Sequence, residues 1–297
     1  MDVRTLGPAG MVSSAIGLGT LAFSGIYGPI TSRESSRIIG RALDMGITML
    51  DTADLYSQGK VERLLGESLH GRRGDALIAT HGGTRVNAAG ESAIVDGHPA
   101  YLAVACDSSL RRLKTDCLDL YYLSRVDPQI PVEDSVGKLA ELVTAGKVRY
   151  LGLTEASPDQ LRRAQATHPI SALAVQYSLL QDCAESGSLA AAAELGVGIV
   201  ARRPLGCGLL TGRASSGASA QEQTALRTIA AEAAELDLGM ARLALAWLLA
   251  WRDDVVPVPS THSAAHLEMN ASAADIRLTP GSFKRLAQFF PPGLARA

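Results

Sequence analysis

Asp51-Thr52-Ala53-Asp54-Leu55-Tyr56 follows the apolar run at residues 48–50 and leads, through Gly59, Glu62 and Gly66, into an amphipathic stretch at 61–69. A short apolar run ending in a carboxylate, then a turn, then a helical pattern, is one strand–loop–helix unit. The same unit recurs along the chain. Strands are expected at 15–18, 48–50, 76–80, 118–123, 148–153, 172–176, 198–201 and 255–258, and helices at 34–44, 61–69, 101–113, 132–145, 158–165 and 240–251 among others. Uninterrupted apolar strands such as Gly198-Ile199-Val200-Ala201 suit a parallel sheet covered on both faces. Doubly wound sheets share this alternation, but eight units favour closure into a (β/α)8 TIM barrel.

The 297 residues fit one barrel domain, and no linker or short-period repeat divides them. With 47% hydrophobic residues the chain can bury a large core. A net charge of -2 gives no basic excess, so neither nucleic acid nor an anionic membrane is expected as a partner. Four scattered cysteines, Cys106, Cys117, Cys183 and Cys207, form no ligand pattern; a reducing cytoplasm and no metal are expected. No apolar run approaches the ~20 residues of a membrane span, and no signal-like core follows Met1. The small polar segment at 214–220 reads as a surface loop.

In a barrel of this kind the active site lies where strands end and the following loops begin. That rule selects Asp51, His81, Ser124, Thr154, Gln176 and Arg202. Polar residues at strand ends also serve as caps and turn formers, a reading that fits Ser124 and Thr154 equally well. His98, His168 and His262 lack ligand spacing and read as surface histidines. Arg111 and Arg112 with Lys114 read as a solvated helix end, and Trp247 and Trp251 as packing on the barrel.

The segment from Asp51 to Gly66 resembles the signature of the aldo-keto reductases. The resemblance runs through essentially the whole chain. It includes Gly17-Leu18-Gly19-Thr20, Asp119-Leu120-Tyr121-Tyr122-Leu123, residues 146–155 (GKVRYLGLTE), Val175-Gln176-Tyr177-Ser178 and residues 204–212 (PLGCGLLTG). It implies a carbonyl reductase that uses NADP(H), with Asp, Tyr, Lys and His at the reacting centre. Asp51 and Tyr56 match two of these four positions, whereas His81 stands at the place of the Lys and Ser124 at the place of the His. The phenol of Tyr has a pKa near 10, so a nearby cation eases its proton transfer; a histidine supplies that charge only in part, and a serine not at all.

The same resemblance assigns cofactor contacts to Thr154, Gln176, Arg202, Leu205, Gly206, Ser260, His266 and Asn270. Ser260 stands where Lys or Gly is usual, His266 where Arg is usual and Met269 where Glu is usual, so the cations that hold an adenosine 2′-phosphate are missing. Arg202, alone or with Arg203, can instead receive a substrate carboxylate or phosphate. Three functions are therefore expected to compete for a small-molecule substrate. The first is cofactor-independent proton transfer (dehydration, isomerisation or cyclisation) by Asp51, Tyr56 and His81, in specialised metabolism. The second is an atypical NADP(H)-dependent oxidoreductase acting on a carbonyl or activated alkene. The third is a non-catalytic binding subunit.

Overall fold

The structure is a computed structural model that describes residues 1–86, 93–180, 187–212 and 218–287. The chain opens with an antiparallel hairpin of β1 (Val3–Leu6) and β2 (Met11–Ser14). Eight parallel strands follow: β3 (Leu18–Gly19), β4 (Met49–Asp51), β5 (Leu77–Gly82), β8 (Leu118–Leu123), β9 (Val148–Thr154), β10 (Ile170–Gln176), β11 (Gly198–Arg202) and β12 (Val255–Pro257). A second hairpin, β6 (Thr84–Val86) with β7 (Ala93–Val95), projects from the loop after β5. Helices alternate with the strands: α1 (Ser32–Asp44), α2 (Lys60–Ser68), α3 (Pro99–Leu113), α4 (Val132–Thr144), α5 (Pro158–Thr167), α6 (Ser188–Glu194), α7 (Ala220–Glu235), α8 (Met240–Trp251), α9 (Ala264–Ala271) and α10 (Pro280–Ala287). This is a single-domain (β/α)8 barrel.

The strands run β3-β4-β5-β8-β9-β10-β11-β12 in the sheet. Closure between β12 and β3 is made by few groups. Gly19 pairs with Ser260, the Gly17 and Gly19 amides donate to the carbonyls of Pro257 and Pro259 at 2.9 and 3.1 Å, and Ser260 completes the seam. Its hydroxyl donates to the Gly19 carbonyl and accepts the Ala22 amide, both at 2.8 Å. Gly19 is required here because a Cβ would stand 2.8 Å from the Val258 carbonyl oxygen.

Two apolar layers hold the barrel. Met49, Leu120, Tyr122, Ala174, Val200 and Val256 fill its interior, and Leu6 and Met11 of the first hairpin join the same cluster. Outside, the strands face a larger core that includes Leu50, Ile78, Leu173, Ile199 and Trp247. Trp247 is buried as expected, stacked on Phe283 at 5.7 Å between ring centroids. The eight expected strands are all present. The first is displaced: residues 15–17 make irregular contacts, and only Leu18–Gly19 are strand. Both hairpins go beyond the expected elements. The expected loop at 214–220 lies mostly outside the described residues, and so does Cys183. Among the described residues, no helix is long and apolar enough to cross a membrane.

Arg112 corrects the expectation of a solvated helix end. It pairs with Glu62 at 2.5 Å, and Glu62 is wholly buried and also accepts from the Thr80 hydroxyl at 2.7 Å. This explains the spacing of the opening motif. Gly59, at φ 77°, would carry a Cβ 2.5 Å from Arg112 Cδ, and a Cβ at Gly66 would meet the Leu113 backbone at 2.6 Å. The two glycines bring α2 against α3, and Glu62 faces Arg112 across that contact.

Candidate active site

The C-terminal strand ends gather the expected polar residues. Asp51 ends β4, Thr154 ends β9, Gln176 ends β10 and Arg202 ends β11, while His81 is next to last in β5 and Ser124 follows β8. A cleft of about 590 Å³ opens at this end. Asp51, Tyr56 and Arg202 line its inner part, the loop with Leu205, Cys207 and Leu209 forms one wall, and Ser260, His262 and His266 form another.

The backbone of Asp51 is pinned, its carbonyl accepting from the Thr20 amide and hydroxyl at 2.8 and 3.0 Å. Its carboxylate is almost wholly buried, with Oδ2 3.5 Å from His81 Nε2. That separation is at the limit of a hydrogen bond, and both atoms otherwise lack partners. The His81 ring stacks on Tyr122 at 4.4 Å and its Nδ1 meets the Thr154 hydroxyl at 3.2 Å. Burial lowers the His81 pKa below its ordinary value, and the Asp51 carboxylate only partly opposes this. His81 is therefore a neutral, internal side chain at neutral pH, outside the cleft wall.

Tyr56 is half-buried, and burial followed by the Asp51 charge raises its pKa while Arg202 and Arg203 lower it. Arg202 lines the same cleft as Tyr56. Burial opposes the charge on Arg202, but Tyr56 and Asp51 outweigh it, and its pKa is raised. Arg203, at φ 48°, donates to the Gln176 amide oxygen at 3.2 Å rather than to a carboxylate. Sequence reasoning assigned Arg202 to a cofactor or an anion. It shares the cleft with Tyr56 although the two lie far apart in the chain, one after β4 and the other at the end of β11, and no local pattern announces this.

The remaining expected residues divide between wall and support. Leu205 and His266 line the cleft, and His262, expected to be a plain surface histidine, lines it too. Gly206 is buried behind Leu205 at φ 56°. Ser260 lines the cleft while its hydroxyl is engaged in the barrel seam. Thr154 and Asn270 are buried, and Ser124 donates its amide to the Gly82 carbonyl at 2.7 Å.

The cleft suits a dinucleotide in size. Gly208, at φ 99°, lets backbone rather than side chain form the wall beside Leu205. Arg202 and Arg203 are the permanent cations among the residues lining it; at the α9 end the basic residues of the lining are His262 and His266. The residues therefore fit a nicotinamide dinucleotide, without a fixed cation for a 2′-phosphate.

Burial and the neighbouring Glu62 push the Asp54 pKa up from 3.8 to about 7, against the pull of Arg112. The folded protein thus holds a proton that the unfolded chain has released between about pH 4 and pH 7, so stability falls as pH rises through that window. Asp54→Asn is expected to flatten this dependence. Thermal midpoints of the two proteins should converge near pH 4 and separate by a few °C at pH 8, with wild type the lower; equal slopes would contradict it.

Comparison with known proteins agrees with this geometry. The Aldo/keto reductase family model matches residues 15–290. Probable aldo-keto reductase 1 of Glycine max is 34% identical over 307 aligned positions, covering 97% of this chain and 88% of that protein. The holo form of aldo-keto reductase AKR11C1 from Bacillus halodurans is 29% identical over 97% of this chain and 96% of its own, with a TM-score of 0.86. The thermostable aldo-keto reductase Tm1743, bound to the inhibitor epalrestat, is 29% identical over 98% of this chain and all of its own, with a TM-score of 0.81. Members of this family typically bind NAD(P)(H) and act on small molecules. With its barrel, its Asp51–Gly66 signature and these relatives, the chain belongs to the aldo/keto reductase family.

Proposed function

We propose that this protein is a nicotinamide-dependent oxidoreductase that reduces the carbonyl of a small molecule, with Tyr56 as the proton donor. The observation that carries this reading is that Tyr56, Asp51 and Arg202 line one cleft of about 590 Å³. Hydride for the carbonyl carbon is the chemistry that a bound nicotinamide supplies. Tyr56 gives its proton to the carbonyl oxygen, and the nearby guanidinium offsets the charge left on the phenolate. Asp51 holds the negative side of this arrangement, and His81 and Thr154 fix it from behind. The backbone about Leu205 and Gly206, with Thr261, His262 and His266, would hold the dinucleotide. Proton transfer without a cofactor draws support from the Asp51–His81 contact, but a neutral His81 outside the cleft wall is poorly placed to reach a substrate.

Titration with NADH and NADPH, followed by calorimetry or fluorescence, tests this. Micromolar binding (about -8 kcal/mol) and aldehyde-dependent oxidation of the reduced cofactor are expected, and no binding at millimolar cofactor would overturn the reading. His266→Arg should tighten NADPH about tenfold while leaving NADH unchanged. An equal effect on both cofactors would place the 2′-phosphate away from α9.

A further inference from the structure

We propose that the groove between α2 and α3 binds one phosphate dianion, either free in solution or carried as a monoester by a small metabolite. Arg63 and Glu67 of α2 face Ser108, Arg111 and Arg112 of α3, with Lys114 at its end, around a cavity of about 320 Å³. This cavity shares no lining residue with the cofactor cleft, so the site is independent of the reductase reading.

Helical spacing gathers these groups. Residues 108, 111 and 112 lie one turn apart on α3, and residues 63 and 67 one turn apart on α2, so each set faces one way. Gly59 and Gly66 let the two helices approach, and the two sets line one groove. Of its four cations, two are already balanced. Arg112 is paired with the buried Glu62, and Lys114 with Glu67 at 3.4 Å. Arg63 donates to the Gln58 carbonyl at 3.4 Å and Arg111 to the Ser108 hydroxyl at 2.8 Å; among the described residues neither meets a carboxylate.

Basic residues at the end of α3 also complement its C-terminal carbonyls. That accounts for Arg111 and Lys114 but not for Arg63, which comes from another helix. Two uncompensated guanidinium groups in one groove repel each other, and a counter-ion relieves the repulsion. Their two charges match one phosphate, which carries nearly two negative charges at neutral pH. Planar forks from opposite walls can donate to different oxygens of a tetrahedral group, whereas a carboxylate offers two oxygens in one plane. Glu67 in the lining opposes a second anionic group, so a polyphosphate or an acidic protein segment fits less well. The cavity is at the small end of ligand sites, with room for the body of a small ester.

Calorimetric titration of the full chain with inorganic phosphate and with glycerol phosphate tests the site, against sodium chloride at matched ionic strength. One equivalent is expected to bind with a Kd of about 1 mM or tighter. In Arg63→Gln/Arg111→Gln the affinity should fall at least about tenfold, with no loss of melting temperature, since both side chains are exposed. Arg112 is left in place because its loss would strand Glu62. Phosphate held in the cofactor cleft would bind the double variant as well as wild type. Equal affinity in the two proteins therefore overturns the proposal, and so does the absence of any binding beyond that of chloride. Tighter binding of glycerol phosphate than of phosphate supports the site as one for a metabolite, and equal binding supports it as one for the free ion. If the double variant fails to fold, Arg63→Gln alone takes its place with the same outcomes.

Discussion

Tyr56→Phe is expected to reduce kcat for carbonyl reduction about 1000-fold, within the ~100- to 10,000-fold range of a general acid, while the melting temperature and cofactor affinity stay as they were. The change removes one oxygen from a half-buried ring lining the cleft and leaves the ring's packing in place. Only the proton source is lost. Since burial and Asp51 raise the phenol's pKa, the wild-type hydroxyl keeps its proton through neutral pH, and the single-turnover rate should be nearly flat from pH 6 to 8. A loss below tenfold would mean that another group, or water, protonates the product.

Arg112→Ala is expected to cost about 3–5 kcal/mol of stability, the range for stranding one member of a buried pair. Glu62 has no exposed surface and would keep only the Thr80 hydroxyl as a partner. The alanine also vacates the space against Gly59 that the Arg112 chain fills. Denaturant midpoints measure the effect. Adding Glu62→Gln to Arg112→Ala should recover part of the loss, because the neutral amide is cheaper to bury than an unpaired carboxylate. A cost below 1 kcal/mol would show that water reaches Glu62 once the guanidinium is gone.

Much of the fold could be read along the chain because strand ends and helix faces are local patterns. β5 and β8 are buried along their whole length, and α8 appears at its expected bounds, Met240–Trp251. The first barrel strand was harder because it has only two residues and is held on one side by partners more than 200 positions away. The hairpins escaped notice because their strands are three or four residues long. In the site, Asp51 and Tyr56 were legible from one short segment. The partnership of Arg112 with Glu62 and the shared cleft of Arg202 and Tyr56 were not, since each joins distant parts of the chain that only the closed barrel brings together. The enclosure of His81 likewise depends on Tyr122 and Thr154, from two other strands.

The seam between Gly19 and Ser260 gives the order of synthesis a particular weight. A chain emerging from the ribosome holds β3 from the start, but its partner β12 and the Ser260 hydroxyl arrive some 240 residues later. Until then the growing sheet has two unpaired edges, the hazard that barrels otherwise abolish. The nascent protein is thus at its most aggregation-prone just before β12 appears. A chain halted before residue 255 would be an open sheet, able to pair with its own copies and lacking one wall of the cleft.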